Sequence, residues 1–369
     1  DRMAAAAQAM QDSGLKSGEN IEAERLGVYV GSGCGGINTI SDQCFKFFES
    51  GPRHVSPFLI PMMIGNIAGG NIAIRYDAEG PNLPVVTACA TSTNAIGEAF
   101  RAVRYGYADA ILAGGSEATV NPLAIGGFAN CKALTEATDP EAASLPFDRR
   151  RAGFVLGEGA AVVVLENYDH AVARGAHIYC EILGSGISSD AHHITAPRPD
   201  GEGQMSAIRG AIAEAGLTEA DIDYVNAHGT GTAKNDEAEF LSLHTIFDGK
   251  NDSLSVSSTK AMTGHCLGAA GAIEAVFAIK ALVENTVPPT IGYSDADLTV
   301  LAEKAGKLDF CPNVPRRKQL DAVMNNSFAF GGNNASIIFG RQAGEPRRRP
   351  DAPDILLTGI GLVTPLGNG

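Results

Sequence analysis

The chain has no tryptophan, no C-x-x-C pair and no uninterrupted apolar run of membrane-spanning length. Each absence excludes something. Without a stretch on the order of 20 apolar residues there is no candidate transmembrane helix, and no signal peptide is visible. Seven cysteines, an odd number, lie far apart and form no zinc-like grouping with histidine. That argues against a disulfide framework or a metal site, and for reduced thiols in a cytoplasmic protein. Basic residues are scarce: 28 Lys and Arg against 42 Asp and Glu leave a net charge of −14, which speaks against nucleic acid as a partner. An acidic protein partner stays compatible, because a local basic patch can sit within a negative total.

Glycine, in contrast, is abundant, with 44 in 369 residues. Together with alanine and short Val/Ile runs it points to closely packed strands and helices. The length fits two domains or one large α/β unit. Strand and helix patterns alternate. LGVYVGSG (26–33), PVVTAC (84–89), ADAILAGGSE (108–117) and GAAVVVLENY (159–168) read as strands, with a helix over 91–105. Apolar runs of this length between helices favour a sheet buried on both faces. A similar order restarts near Ala176: HIYCEILGSGISS, DIDYVNAHGTGT, then SLSVSSTKAMTGHCLGAAGAIEAVFAIKAL. The last unit parallels TACATSTNAIGEAFRAVRYG, so the chain reads as two diverged copies, 1–168 and 169–341, with an active residue at the same junction in each. The Pro- and Arg-rich segment 342–353 is a linker. DILLTGIGLVTPLGNG (354–369) then reads as the opening strand of a further unit, much like EILGSGISS. The start, DRMAAAAQAMQDSGL, is a helix closed by Gly14 and looks like entry partway through a domain.

Cys89 follows the PVVTA run and opens a helical pattern. A lone cysteine is most often a small buried hydrophobe. At a helix N-terminus it is alternatively a nucleophile, since the dipole and free N–H groups lower a thiol pKa. Two histidines in small-residue turns after strands, His228 in NAHGTGT and His265 in TKAMTGHCLG, favour the second reading, because ligands gather at the carboxyl ends of α/β strands. Lys260 is either solvated or a charge that orients those histidines. Asp236 and Glu239, three apart on an expected helix start, either complement the helix dipole or pair with Lys260. In NNSFAFGGNNASIIFG (325–340) the Gly331-Gly332 turn is a plain hairpin, or aims a backbone N–H at an oxyanion with Phe330 as a mobile wall.

TACATS, NAHGTGT, STKAMTGHCLGAAGA and NSFAFGGNN, in that order, resemble the β-ketoacyl-acyl-carrier-protein synthases, closest to the type II fatty-acid elongating enzymes. The resemblance runs from residue 1 to about 340. It implies a thiolase fold, a five-layered α/β/α/β/α core of two duplicated halves, and a homodimer. It implies a Cys89, His228, His265 site with Lys260 and Glu239 as a supporting pair and Asp236 beside them. Cys89 would carry the acyl chain, and the backbone N–H groups of Cys89 and Phe330 would form an oxyanion hole. Thr230 and Thr232 would bind the phosphopantetheine arm, with Thr195 and Phe128 along the same tunnel. Cys34 would line the acyl pocket, and Arg53 and Lys132 would receive an acidic acyl carrier protein. No resident cofactor or metal is implied, since phosphopantetheine arrives on the carrier.

Three features depart from the family pattern. Ala329 and Asn333 stand where GFGGTN has glycine and threonine, so Ala329 should stiffen the gating turn. Cys34 is smaller than the aliphatic residue common at its position. The strand that opens the family lies here at the far end, which fits a fragment of a tandem array. A degradative thiolase is disfavoured, because AFGGNN lacks that family's second cysteine. A polyketide or specialised-lipid ketosynthase would show the same triad. A non-condensing chain-length partner subunit would lack Cys89.

Overall fold

In the computed structural model the described residues are 2–293 and 307–341, together with the paired strands Val363–Thr364 and Gly367–Asn368. The expected linker (342–353) and the segment 354–362 lie outside them.

Two sheets form the core. The first contains β1 (Leu26–Gly31), β2 (Ala110–Glu117) and β3 (Gly159–Glu166) in that order, β1 parallel to β2 and β2 antiparallel to β3. The second is built from β4 (Glu181–Ser189), β5 (Tyr224–Asn226), β6 (Ser255–Ser257), β9 (Ala322–Ala329) and β10 (Asn333–Gly340), in the order β4-β10-β9-β5-β6. A separate ribbon pairs β7 (Thr286–Val287) with β8 (Arg316–Arg317). The trio β5, β9, β10 repeats the pairing of β1, β2, β3: parallel, then antiparallel. The duplication read from the sequence is thus present in the sheets.

Side chains alternate across each strand, and that alternation sorts the layers. Leu26, Val28 and Val30 of β1 face α1 (Arg2–Ser13) and α4 (Ile67–Tyr76), whereas Tyr29 faces the opposite side. On that side α5 (Thr91–Arg104) and α11 (Ala270–Glu284) lie between the sheets and meet Val323, Ile337 and Phe339 of the second one. Met324 and Ile338 face outward again, onto α8 (Glu202–Ala215) and α9 (Ala233–Phe247). The sequence of layers is therefore α/β/α/β/α. The remaining helices are α2 (Ile37–Ser50) and α3 (Leu59–Met63) beyond β1, α6 (Pro122–Asn130) before β3, α7 (Tyr168–Ala173) after it, and α10 (Lys260–Thr263) after β6.

The central pair α5 and α11 pack closely because their contact is made of small residues. Ala95 and Ala99 lie in one cluster with Ala272, Ala275 and Ala278. Ser92 Oγ accepts the Ala272 N–H at 2.8 Å, and Thr93 and Ser327 hydroxyls share a bond of 2.8 Å. This close contact brings the N-terminal ends of the two helices, one from each half, into one place.

One expected strand is absent. PVVTAC runs alongside β1 without joining its sheet. Val28 N–H donates to Pro81 O at 3.0 Å and Leu83 N–H to Val28 O at 3.2 Å. Pro84 has no N–H to continue the ladder, and the Val85 carbonyl then presses on Gly31, where a Cβ would sit 2.1 Å away.

Candidate active site

Cys89 sits in a single 3-10 turn, residues 88–90, immediately before α5, and Ala88 has φ +49°. The second half repeats this backbone at residues 267–269 before α11, with Leu267 at φ +45°. The structure corrects the expected match here: the residue equivalent to Cys89 is Gly268, and His265 lies three positions before it. His265 is placed by a bridge to the first half, its N–H donating to Val155 O at 2.7 Å and its carbonyl accepting from Gly157 N–H at 3.0 Å. His228 follows β5 after a single residue, Ala227.

The two imidazoles are 2% exposed and stand edge to face, ring centres 5.3 Å apart. Phe154 packs edge-on against His265 at 5.0 Å and against Phe128 at 5.5 Å. Cys34, Cys89, Phe128 and Phe330 pack on the same apolar cluster as Phe154 and Leu267. Cys89, both histidines, Phe330, Phe128 and Cys34 therefore converge. Thr230 and Thr232 hold each other at 2.9 Å in the loop after His228. Thr195 is partly exposed, in a loop whose Ile194 carbonyl accepts the Gly331 N–H at 2.8 Å. Arg53 and Lys132 are both exposed.

Electrostatics differ from the sequence expectation at two points. The Cys89 thiol is pushed up to about 12 by burial, against the pull of the Lys260 charge and of the Phe330 N–H aimed at its sulfur. Burial outweighs these two because a thiolate in an apolar cluster loses more hydration than one ammonium and one N–H return. The second correction concerns Lys260. Its ammonium, 1% exposed, pairs with Glu274 on α11, not with Glu239 or Asp236, and lies 3.4 Å from His228 Nδ1. Glu239 instead accepts the His228 and Gly229 N–H groups, each at 2.7 Å. Asp236 accepts those of Phe147, Thr230 and Gly231 at 2.7, 3.1 and 3.2 Å. Both carboxylates fix the backbone of the histidine loop. Burial raises Glu239 and Glu274 to about 7 and Asp236 to about 6. Burial, then the Lys260 charge, holds both histidines well below the ordinary imidazole value, which favours the neutral ring in each.

The sequence reading missed Glu274, the lone acid of an otherwise apolar helix start, and Glu117, an acid closing an apolar strand. That isolation was the available signal.

Comparison with known proteins agrees with this geometry. Residues 2–171 match the beta-ketoacyl synthase N-terminal domain and residues 179–294 its C-terminal domain. The 3-oxoacyl-[acyl-carrier-protein] synthase 2 of Coxiella burnetii is 46% identical over 340 residues, 92% of this chain and 80% of the relative. The enzyme of the same name from Rhizobium meliloti is 45% identical over 93% of this chain and 80% of its own length. Among solved structures, a Burkholderia phymatum beta-ketoacyl synthase superposes with a TM-score of 0.85 at 35% identity, covering 92% of this chain and 81% of that one. A type II polyketide ketosynthase, bound to a hexaketide and in complex with its acyl carrier protein, gives 0.87 at 31%, covering 92% and 84%. The five-layered duplicated core is the thiolase fold of these ketosynthases, and the chain belongs to the β-ketoacyl synthase family.

Proposed function

We propose that this synthase performs the decarboxylative Claisen condensation of fatty-acid elongation, with Cys89 as the acyl carrier and His228 and His265 as the paired donors. Cys89 Sγ attacks the thioester carbonyl of an acyl chain delivered on acyl carrier protein, and the carrier thiol leaves with the proton. The developing oxyanion is met by the N–H groups of Cys89 and Phe330, each such donor being worth about 3 kcal/mol in comparable sites. A malonyl thioester then enters. The neutral imidazoles donate to its carbonyl oxygen as CO2 departs, and the carbanion attacks the Cys89 acyl group, expelling the sulfur. One thiol serves as nucleophile and leaving group in turn. Lys260 beside His228 Nδ1 favours the tautomer with its proton on Nε2, so that the second nitrogen donates.

The observation that carries the reading is the convergence of one thiol and two buried histidines on the Phe154 cluster. Thr230 and Thr232 would hold the pantetheine arm, with Thr195 and Phe128 beyond. Exposed Arg53 and Lys132 would meet the acidic carrier, which brings its own phosphopantetheine; no resident cofactor or metal takes part. The halves 1–168 and 169–341 act as one unit. A homodimer is supported by an exposed apolar face: Phe45 and Phe48 on α2, Ile60 on α3 and Ile74 on α4 are 57–83% exposed, a patch of the kind interfaces cover. Among the described residues no helix is long and apolar enough to cross a membrane, and the free cysteines fit a cytoplasmic site of action. Elongation is favoured over polyketide assembly by identity, 46% to the named elongation relative against 31% to the polyketide one.

Intact mass after incubation with acylated carrier protein tests the proposal. Wild type should gain one acyl group and Cys89→Ala none. A loaded Cys89→Ala, or an unloaded but folded wild type, would contradict it.

A further inference from the structure

Glu117 closes β2 and is 2% exposed. Its Oε1 accepts the Ser32 hydroxyl at 2.8 Å and the Cys34 N–H at 3.2 Å. Its Oε2 accepts the Gly33 N–H at 2.8 Å and the Gly268 N–H at 3.0 Å. Ser32 Oγ in turn accepts the Gly35 N–H at 2.9 Å. Among the described residues Glu117 makes no ion pair, so a buried carboxylate is held by four neutral donors from two separate loops.

The duplication explains why donors gather there. Gly268 is the counterpart of Cys89, so its N–H is the counterpart of the one proposed to receive the thioester oxyanion. In the first half that N–H belongs to the residue that carries the thiol. In the second half it faces Glu117. The carboxylate occupies the place an oxyanion would take in the repeated junction. It also draws together the loop after β1, which carries Cys34, and the turn before α11, which carries Leu267. Both side chains pack on the cluster that holds Cys89. The loops are nearly in contact, since a Cβ on Gly268 would lie 2.3 Å from the Gly33 nitrogen.

We infer that Glu117 is a positioning residue that plugs this second anion hole and, by clamping the two loops, fixes the Cys34 and Leu267 walls of the acyl pocket and hence the acyl chain the enzyme accepts. The inference rests on the condensing reading above. Without the carboxylate, three backbone N–H groups face one another with no acceptor, and the walls separate. Small displacements of this kind matter in a pocket that must hold a thioester against its nucleophile. A cavity lined by Arg2, Ser32, Gly35, Gly36, Met62 and Glu117 borders the carboxylate.

The test compares wild type, Glu117→Ala, Glu117→Gln and Ser32→Ala for loading by carriers bearing short, medium and long saturated chains. Glu117→Ala should lose roughly tenfold to a hundredfold in kcat/KM for the chain wild type prefers. Its profile across chain lengths should flatten, with KM for the malonyl carrier unchanged. Formate should restore Glu117→Ala and leave wild type unaffected, a response that mere loosening of the fold does not give. Glu117→Gln, isosteric but turning an amide toward N–H donors, should fall near Glu117→Ala. Ser32→Ala removes one donor, folds more readily, and should shift the profile the same way by less. Unchanged profiles in folded Glu117→Gln and Ser32→Ala, beside a wild type that loads, overturn this inference alone. A wild type that takes up no acyl group overturns the condensing reading and this inference with it.

Discussion

At residues 88–90 and 267–269 the chain makes the same move twice: a residue at positive φ, one 3-10 turn, then a long helix of small residues. The backbone is nearly the same and the side chains are not. The first junction carries Cys89, the second Gly268. Six residues along, α5 has Ala95 where α11 has Glu274, and both are buried. One junction presents a thiol in apolar surroundings; the other supplies a backbone N–H to Glu117 and a carboxylate to Lys260. A duplicated scaffold thus offers two equivalent helix ends, and the side chains decide what each one presents.

The largest effect should come from separating the charges that only the second half carries. Lys260→Met leaves Glu274 buried without its partner, which costs about 3–5 kcal/mol of stability. Lys260→Met with Glu274→Leu should recover most of that loss in urea denaturation while acyl condensation stays impaired. A single-variant loss of only about 1 kcal/mol, the scale of a surface pair, would show that water reaches the pair and that the halves differ less than argued here.

Next comes the thiol. With burial holding Cys89 up to about 12, its thiolate is scarce at neutral pH and grows as pH rises toward that value. Alkylation at Cys89, followed by peptide mass, should therefore increase about tenfold per pH unit between roughly pH 7 and 9 with no levelling off. A plateau below pH 8 would mean that the helix end outweighs burial and that the first junction is pre-ionised.

The smallest effect concerns the glycine. Gly268→Ala places a Cβ 2.3 Å from the Gly33 nitrogen and 2.8 Å from Glu117 Oε2. Such overpacking costs about 1–3 kcal/mol. A thermal midpoint equal to wild type would indicate that the two loops have room to part, which would also weaken the clamp ascribed to Glu117.

Much of the site was legible because its residue types are rare in their settings. A cysteine between an apolar run and a helix, and histidines in glycine turns, stand out without any coordinates. Asp236 and Glu239 were visible as an acidic pair, but their use was not. Spacing along α9 shows that both lie near its first turn; only the fold shows them turned onto the backbone of the histidine loop. Lys260 illustrates the same limit, since its partner Glu274 lies 14 residues on, across a turn that periodicity does not measure. PVVTAC looked like a strand on composition, and Pro84 removed the donor that would have continued the ladder.

By itself, then, the order of apolar runs, glycine turns and small-residue helices determined two α/β halves and a thiol-histidine chemistry, because hydrophobic period and turn chemistry are local properties of the chain. Only the tertiary structure decided that Gly268 mirrors Cys89, that Lys260 belongs to Glu274, and that the thiol sits half-buried against an apolar cluster. Those facts depend on which distant groups share a buried volume, where desolvation and hydrogen-bond supply are set by every element that packs there and by no segment alone.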